Sequence, residues 1–337
     1  MTHSDHDPAS KLPLAAAKAI DAALEFPVAP SFTRIGYEAR RRAFGWVPLS
    51  SHDMSGRVAV VTGATSGLGR AAARQLADCG ATVVIVGRDA ERTERVASQL
   101  ASHGRGAVEA VFADMGDLDK VRCAAEEIRQ RHERVDVLVH NAGALLKERT
   151  EAHGGIEATV ASQVVGPFLL TCLLLEPLRA AAPGRVITVS SGGMYAAPVE
   201  VERLQLPADE YNGSRQYALA KRAQVVLNEL LAERIDRSEV VFQAMHPGWA
   251  DTPGVRESLP GFRRVVGPLL RSPESGADTI VWLAANDSAP LDSTGGFWHD
   301  RRQRSPHRLG TTRRSDSPRQ RLALWDWVVA EASFDPT

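Results

Sequence analysis

Residues 57–69 read RVAVVTGATSGLG, a β-branched run that ends in a cluster of glycines. The run shows no polar alternation, so it suits a strand buried on both faces, as in a parallel sheet. Gly63, Thr65, Ser66, Gly67, Leu68 and Gly69 make up the turn that follows. Helical periodicity then runs from about Gly67 to Cys79, with Gly80 as its C-cap. A turn between strand and helix lets backbone approach a pyrophosphate, and the helix N-terminus offers free N–H groups and partial positive charge. The spacing is Gly-x-x-x-Gly-x-Gly, not the commoner Gly-x-Gly-x-x-Gly, so the position of the glycines matters more than their pattern.

The same alternation continues outward. ATVVIVGR from Ala81, AVEAVFAD from Ala107, VDVLVHNAG from Val135, RVITVSS from Arg185 and VVFQAMHPG from Val240 read as five more strands. Helical stretches separate them, and a long helix carries FLLTCLLLEPL from Phe168. GGFWHDRR from Gly295 reads as a seventh strand. This rhythm predicts an α/β doubly wound parallel sheet of about seven strands, a Rossmann-type domain over residues 55–302. Residues 1–54 form an N-terminal extension, and residues 303–337 a basic connector with a short closing helix.

Ligands of such sheets lie beyond the C-terminal strand ends. Those ends carry Asn141, Ala142 and Gly143 after the fourth strand, Ser191 after the fifth, and His246, Pro247 and Gly248 after the sixth. Tyr217 and Lys221 follow Ser191 and stand at i and i+4, on one helix face. The chain has only four tyrosines, and lysine is far rarer than arginine. Carbonyl reduction by hydride needs a proton donor at the oxygen, but a free phenol has a pKa of about 10. A nearby ammonium favours the phenolate and lowers that value, and a serine hydroxyl can hold the same oxygen. For cofactor choice, an NAD enzyme places an acid at the end of the second strand. Here Gly87 stands there and Arg88 follows; a guanidinium suits the 2′-phosphate of NADP, with NAD as the alternative. Asp89 reads as the cap of the next helix.

These residues resemble the short-chain dehydrogenase/reductase family. TGATSGLG, HNAG (140–143), VSS (189–191), YALAK (217–221) and HPG (246–248) fall in its order and spacing, across about residues 55–300. Within it, ITVSSGGM, MHPGWADTPGVRESLPGF and SGADTIVWLA resemble the group called dehydrogenase/reductase SDR family member twelve. The resemblance implies Tyr217 as acid/base, Lys221 as its tuning cation and ribose ligand, and Ser191 as the residue that orients the substrate oxygen. It implies that Asn141 buttresses the glycine turn, Asp114 contacts adenine and Thr252 holds the nicotinamide amide. The family places an asparagine before its Gly-x-Phe-Leu-Leu-Thr run to bind a relay water; here Gln163 stands in its place. A displacement of about 1 Å matters at a reacting centre, so Gln163→Asn is expected to raise kcat.

Composition sets the outer limits. The 337 residues are 44% hydrophobic and 24% charged, with a net charge of −1, so the whole chain carries no argument for a nucleic-acid partner. Three scattered cysteines favour free thiols in a reducing compartment. The start has acids where a leader's basic region would be, and the Phe168 run is too short to span a bilayer, so a cytoplasmic protein is expected. No metal spacing is evident, and His246 reads as a hydrogen-bonded structural histidine. Residues 31–46 combine Phe32, Ile35, Phe44 and Trp46 with arginines, a pattern open to a weak peripheral membrane contact or to packing on the domain. The arginine-rich stretch 301–321 reads as a solvated connector. Trp249, Val255, Leu259, Phe262, Val265 and Leu269 are placed to form an apolar lid. The resulting expectation is an NADP(H) oxidoreductase for a small hydrophobic carbonyl or alcohol, in a homo-oligomer. A dinucleotide-binding sensor or scaffold is the alternative. A sugar-nucleotide epimerase on the same fold is disfavoured by the glycine spacing and the short segment after Thr252.

Overall fold

The computed structural model describes residues 12–152 and 154–336. Residues 1–11, part of the stretch read above for a leader, lie outside the described residues. The strands are β1 (Val58–Thr62), β2 (Thr82–Gly87), β3 (Val108–Phe112), β4 (Val137–His140), β5 (Gly184–Val189), β6 (Val240–Met245), β7 (Gly296–His299) and β8 (Arg302–Arg304). They form one sheet in the order β3-β2-β1-β4-β5-β6-β7-β8, parallel throughout except for β7 with β8. The order reverses between β1 and β4, which opens the crevice where ligands of such sheets lie.

The unbroken apolar runs have a direct cause. Successive residues of a strand face opposite sides, and both sides here are covered. Val60, Val84 and Val86 enter one core, under the helices Leu118–Arg131, Gly166–Leu173 and Gly213–Arg234. Ala59, Val61, Val83 and Ile85 enter the other, under Gly67–Asp78, Ala90–Ala101 and Pro273–Ala285.

Two sequence expectations change, and one left open between two readings is decided for packing. GGFWHDRR is not one strand: β7 turns through Asp300 and Arg301, both at positive φ (52° and 54°), into the antiparallel β8. Non-glycine residues rarely adopt that conformation. Here Asp300 is gripped by Arg40 at 2.7 Å and Arg271 at 2.5 Å, and Arg301 by Asp278 at 2.7 Å. Next, the arginine-rich stretch is only partly solvated: Arg313, Arg314 and Arg319 are exposed, but others are tied down. Arg304 pairs with Asp21 at 2.6 Å, Arg308 with Glu25, and Arg321 with Glu229 and Glu233. It leads into the helix Pro318–Ala332, whose Trp325 packs edge-on against Phe168 beneath Arg234. Last, residues 31–46 turn inward. Phe32, Phe44 and Arg40 are buried, and Arg40 joins Asp21, Glu25 and Asp300 in one ionic cluster. Only Ile35 of the four apolar anchors is largely exposed, so the segment spends its aromatics on its own domain. Among the described residues no helix is long and apolar enough to cross a membrane.

Candidate active site

The glycine turn joins β1 to the helix Gly67–Asp78. Its N-cap, Ser66, makes no side-chain capping bond, so the first-turn N–H groups remain available to an anion. Asn141 supports the turn from the end of β4: its Nδ2 donates to the carbonyls of Thr62 (3.0 Å) and Gly63 (3.2 Å). A Cβ on Gly69 would lie 2.3 Å from that same Nδ2, so only glycine fits there. The Thr62 hydroxyl accepts from the backbone N–H of Asn141 at 3.0 Å and of Ala142 at 3.1 Å. Thr62 was not singled out from the sequence; a hydroxyl at the end of a buried strand was the available signal. These features fit the pyrophosphate of a dinucleotide.

The end of β2 separates two roles. Asp89 caps the helix Ala90–Ala101, accepting from the Arg92 N–H at 2.8 Å. Arg88 is exposed beside the turn. A Cβ on Gly87 would come 2.3 Å from Thr93 Oγ1 and 2.9 Å from Thr65 Cγ2, which leaves an acidic side chain no room. Asp114, just past β3, accepts from the Gly116 N–H at 2.9 Å. Thr252 lies against the turn, its Cβ 3.2 Å from the position a Cβ on Gly67 would take, and caps the short helix Pro253–Ser258.

The Pro247–Gly248 loop is fixed from beneath. Gly248 has φ 75°, and a Cβ on it would meet the Arg271 guanidinium at 2.4 Å. Arg271 donates to the carbonyls of Pro247 (3.3 Å), Ser31 (2.8 Å) and Phe32 (3.0 Å) while paired with Asp300. The cofactor-side loop therefore shares one arginine with the N-terminal extension, and neither Arg271 nor Asp300 carried a motif that would flag it. His246, expected to be hydrogen-bonded through its ring, is instead packed on rings: edge-on to Phe32 at 4.3 Å and stacked on His299 at 5.1 Å. Its two ring nitrogens are buried with no hydrogen-bond partner among the described residues. Burial holds His246 well below the ordinary histidine value, so it is neutral.

Ser191, Tyr217 and Lys221 come together beyond β5. Asn212 caps the helix Gly213–Arg234, accepting from the Arg215 N–H at 3.0 Å, which sets Tyr217 in its second turn. Tyr217 is half-buried, with the Ser191 side chain close enough to pull on its phenol. Lys221 Nζ lies 5.4 Å from the Tyr217 ring centroid and donates to the Val189 carbonyl at 2.9 Å. Burial pushes the Tyr217 phenol up to about 12, against the lowering pull of Ser191. Burial also brings Lys221 down to about 7. Lysine was expected to lower the tyrosine. Among the protein's own groups burial dominates, and the one lowering influence on the phenol comes from Ser191.

Gln163 sits where the helix carrying Phe168 loosens into a π turn, Ala161–Val165, a distortion often found at functional sites. Its Nε2 donates to the Ala144 carbonyl at 2.8 Å. Its Oε1 and the Lys221 Nζ both face Gly143, 2.8 Å and 3.4 Å from where a Cβ there would be. Over the site, Trp249 packs edge-on to Phe262 at 5.1 Å, and the Ser258 hydroxyl reaches the Leu145 carbonyl at 3.0 Å. Val255, Leu259 and Phe262 are half-buried, whereas Val265 is 81% exposed and Leu269 also faces out. No three His, Cys, Asp or Glu side chains gather as a metal site among the described residues.

Comparison with known proteins agrees with this arrangement. Residues 57–261 match the family model described as short chain dehydrogenase. Human dehydrogenase/reductase SDR family member 12 is 37% identical over 298 residues, 87% of this chain and 91% of that protein. Mouse polyprenol dehydrogenase is 36% identical over 80% of this chain and 82% of its own length. Among solved structures, the Pseudomonas aeruginosa RhlG/NADP active-site complex superposes with a TM-score of 0.61 at 26% identity, covering 73% of this chain and 94% of that one. A nucleotide-shaped turn, a Ser191–Tyr217–Lys221 cluster beyond β5 and a family match across the sheet lead to one assignment: the chain belongs to the short-chain dehydrogenase/reductase family of oxidoreductases.

Proposed function

We propose that this protein interconverts a hydrophobic carbonyl compound and its alcohol with NADP(H). The observation that carries the reading is the meeting of Ser191, Tyr217 and Lys221 at the strand ends, beside a glycine turn fit for a pyrophosphate. Bound NADP(H) supplies or accepts the hydride. In reduction, Tyr217, protonated at neutral pH, gives its proton to the carbonyl oxygen while the Ser191 hydroxyl holds that oxygen. Lys221, anchored on the Val189 carbonyl, stands behind the tyrosine to stabilise the phenolate that results. Exposed Arg88 and the crowded Gly87 support NADP over NAD, and the NADP complex of the solved relative agrees. The half-buried apolar arch of Val255, Leu259 and Phe262 supports a lipophilic substrate, as does the name of the polyprenol dehydrogenase relative.

The test is NADPH oxidation against a panel of aldehydes and ketones of graded chain length and ring system. Turnover should rise with apolar bulk, and Tyr217→Phe should lower kcat by roughly 10²–10⁴-fold with NADPH binding retained. Tight NADPH binding with no turnover of any carbonyl would instead support a sensor or scaffold.

A further inference from the structure

The stripe that holds Tyr217 and Lys221 continues inward on the same helix. Gln224 and Asn228 follow at spacings of three and four residues, so the four side chains share one face. Beyond Lys221 this face lines an internal cavity of about 30 Å³, with Gln163, His140 and Thr171 on the opposing elements. None of these five lining residues is more than 4% exposed.

The cavity wall is mixed: apolar side chains such as Val164, Phe168, Leu227 and Phe242 alternate with polar ones whose atoms are unpaired. Both amide atoms of Gln224, both of Asn228, His140 Nδ1 and Gln163 Oε1 are buried with no hydrogen-bond partner among the described residues. A buried polar atom without a partner is costly, and one such atom in a fold is tolerable where six gathered on one void are not. The wall also specifies its occupant. It offers amide N–H donors, amide oxygens and an imidazole nitrogen, but no charged side chain. His140 stays neutral, since burial and the nearby Lys221 hold it near about 3, and its Nε2 is already bonded to the Thr171 hydroxyl at 2.6 Å. An ion would find no countercharge there. A neutral molecule that both donates and accepts fits, and the volume suits about two waters.

We propose that this cavity is an internal water site, in which water bridges Gln224, Asn228 and His140 to the free Oε1 of Gln163 and so holds Gln163 beside Lys221. Gln224 and Asn228 are then positioning residues, acting through Gln163, whose other end grips the Ala144 carbonyl in the loop facing Lys221 Nζ. The functional half of this inference rests on the reading of Tyr217 and Lys221 given above; the water site itself does not.

Two readouts separate them. A high-resolution crystal structure of the full chain should show ordered water within hydrogen-bond distance of Gln224, Asn228 and Gln163, whether or not a substrate is known; a dry cavity overturns the proposal. In kinetics, Asn228→Leu should displace water and lower kcat about fivefold with little change in the KM for NADPH. Asn228→Ser, small and polar with room for a further water, should keep kcat near wild type. A leucine variant with unchanged kcat, or a serine variant that falls as far as leucine, overturns the positioning role. If Asn228→Leu fails to fold, Gln224→Leu is read against Gln224→Asn in the same way. Ordered water in a protein that turns over no carbonyl would sink the enzymatic reading and leave the water site standing.

Discussion

Gln163 is held by a bond that an asparagine in its place is too short to make. The sequence alone argues that the extra methylene displaces a relay group, so that Gln163→Asn should speed turnover. The π turn changes the sign of that expectation. It presents the longer side chain so that Nε2 reaches the Ala144 carbonyl at 2.8 Å. Shortening it releases the loop that faces Lys221. Gln163→Asn should therefore lower kcat a few-fold, and a rise measured under saturating NADPH would restore the original view. Arg88 is simpler, because it touches nothing that the fold needs. Arg88→Ala should raise the KM for NADPH about tenfold, about 1.4 kcal/mol of binding, and leave the KM for NADH where it was. Equal change in both would remove the 2′-phosphate role.

Elements differ in how far their residues announce them. The six strands β1 to β6 and the helices between them were legible, because burial on both faces forces unbroken β-branched runs. The strand-end positions of Asn141 and Ser191 followed from the alternation, and the nearness of Tyr217 to Lys221 from their spacing on one helix face. What was not legible depends on contacts distant in sequence. The β7–β8 turn uses Asp300 and Arg301 at positive φ, where glycine or asparagine would have marked it; Arg40 and Arg271 from other segments hold it there. The π turn has no local signature, and the closing helix showed amphipathic character without naming its partner. That partner is the half of the domain built from the Phe168 helix and the helix that carries Tyr217. Trp325 lies against Phe168 at 5.5 Å, with the Arg234 guanidinium 3.9 Å from its ring centroid. Trp325→Ala should thus cost about 3–5 kcal/mol, as a large aromatic lost from a core does. Chemical denaturation reads this directly. A change below about 0.5 kcal/mol, the range of surface substitutions, would return the helix to the status of an appendage.

On the scale of the whole molecule, the buried ionisable groups set where the protein is stable. Arg40, Arg271 and Asp300 tie the N-terminal extension, the Pro247–Gly248 loop and the β7–β8 turn into one buried cluster, which also encloses His299. Three histidines are held below their ordinary value of 6.5, chiefly by burial: His140 near about 3, His299 near about 4, and His246 well below. Below pH 6.5 the unfolded chain takes up protons that the folded chain refuses, so stability falls with pH. Asp300, held well below the usual carboxylate range by Arg271 against the cost of burial, adds to the loss under stronger acid. Lys221 acts in the same direction on the other side of neutrality. Its folded value near 7 lies under the ordinary 10.5, so its penalty is full below pH 7 and fades as the pH rises toward 10.5. The buried phenols of Tyr195 and Tyr217, both raised to about 12, reverse the trend above pH 10, where the unfolded chain ionises and the folded one does not. The melting temperature should therefore peak between about pH 7 and 10 and drop steeply from pH 6.5 to 5. Each proton held only by the unfolded chain contributes about 1.4 kcal/mol per pH unit to that slope. His246→Leu, which removes a buried imidazole with no hydrogen bond to lose, should make the acid limb shallower by up to one such proton. A flat profile from pH 6.5 to 5 in the wild type would mean that these histidines take up protons in the folded protein, and that the ring-packed core around Phe32 is open to water.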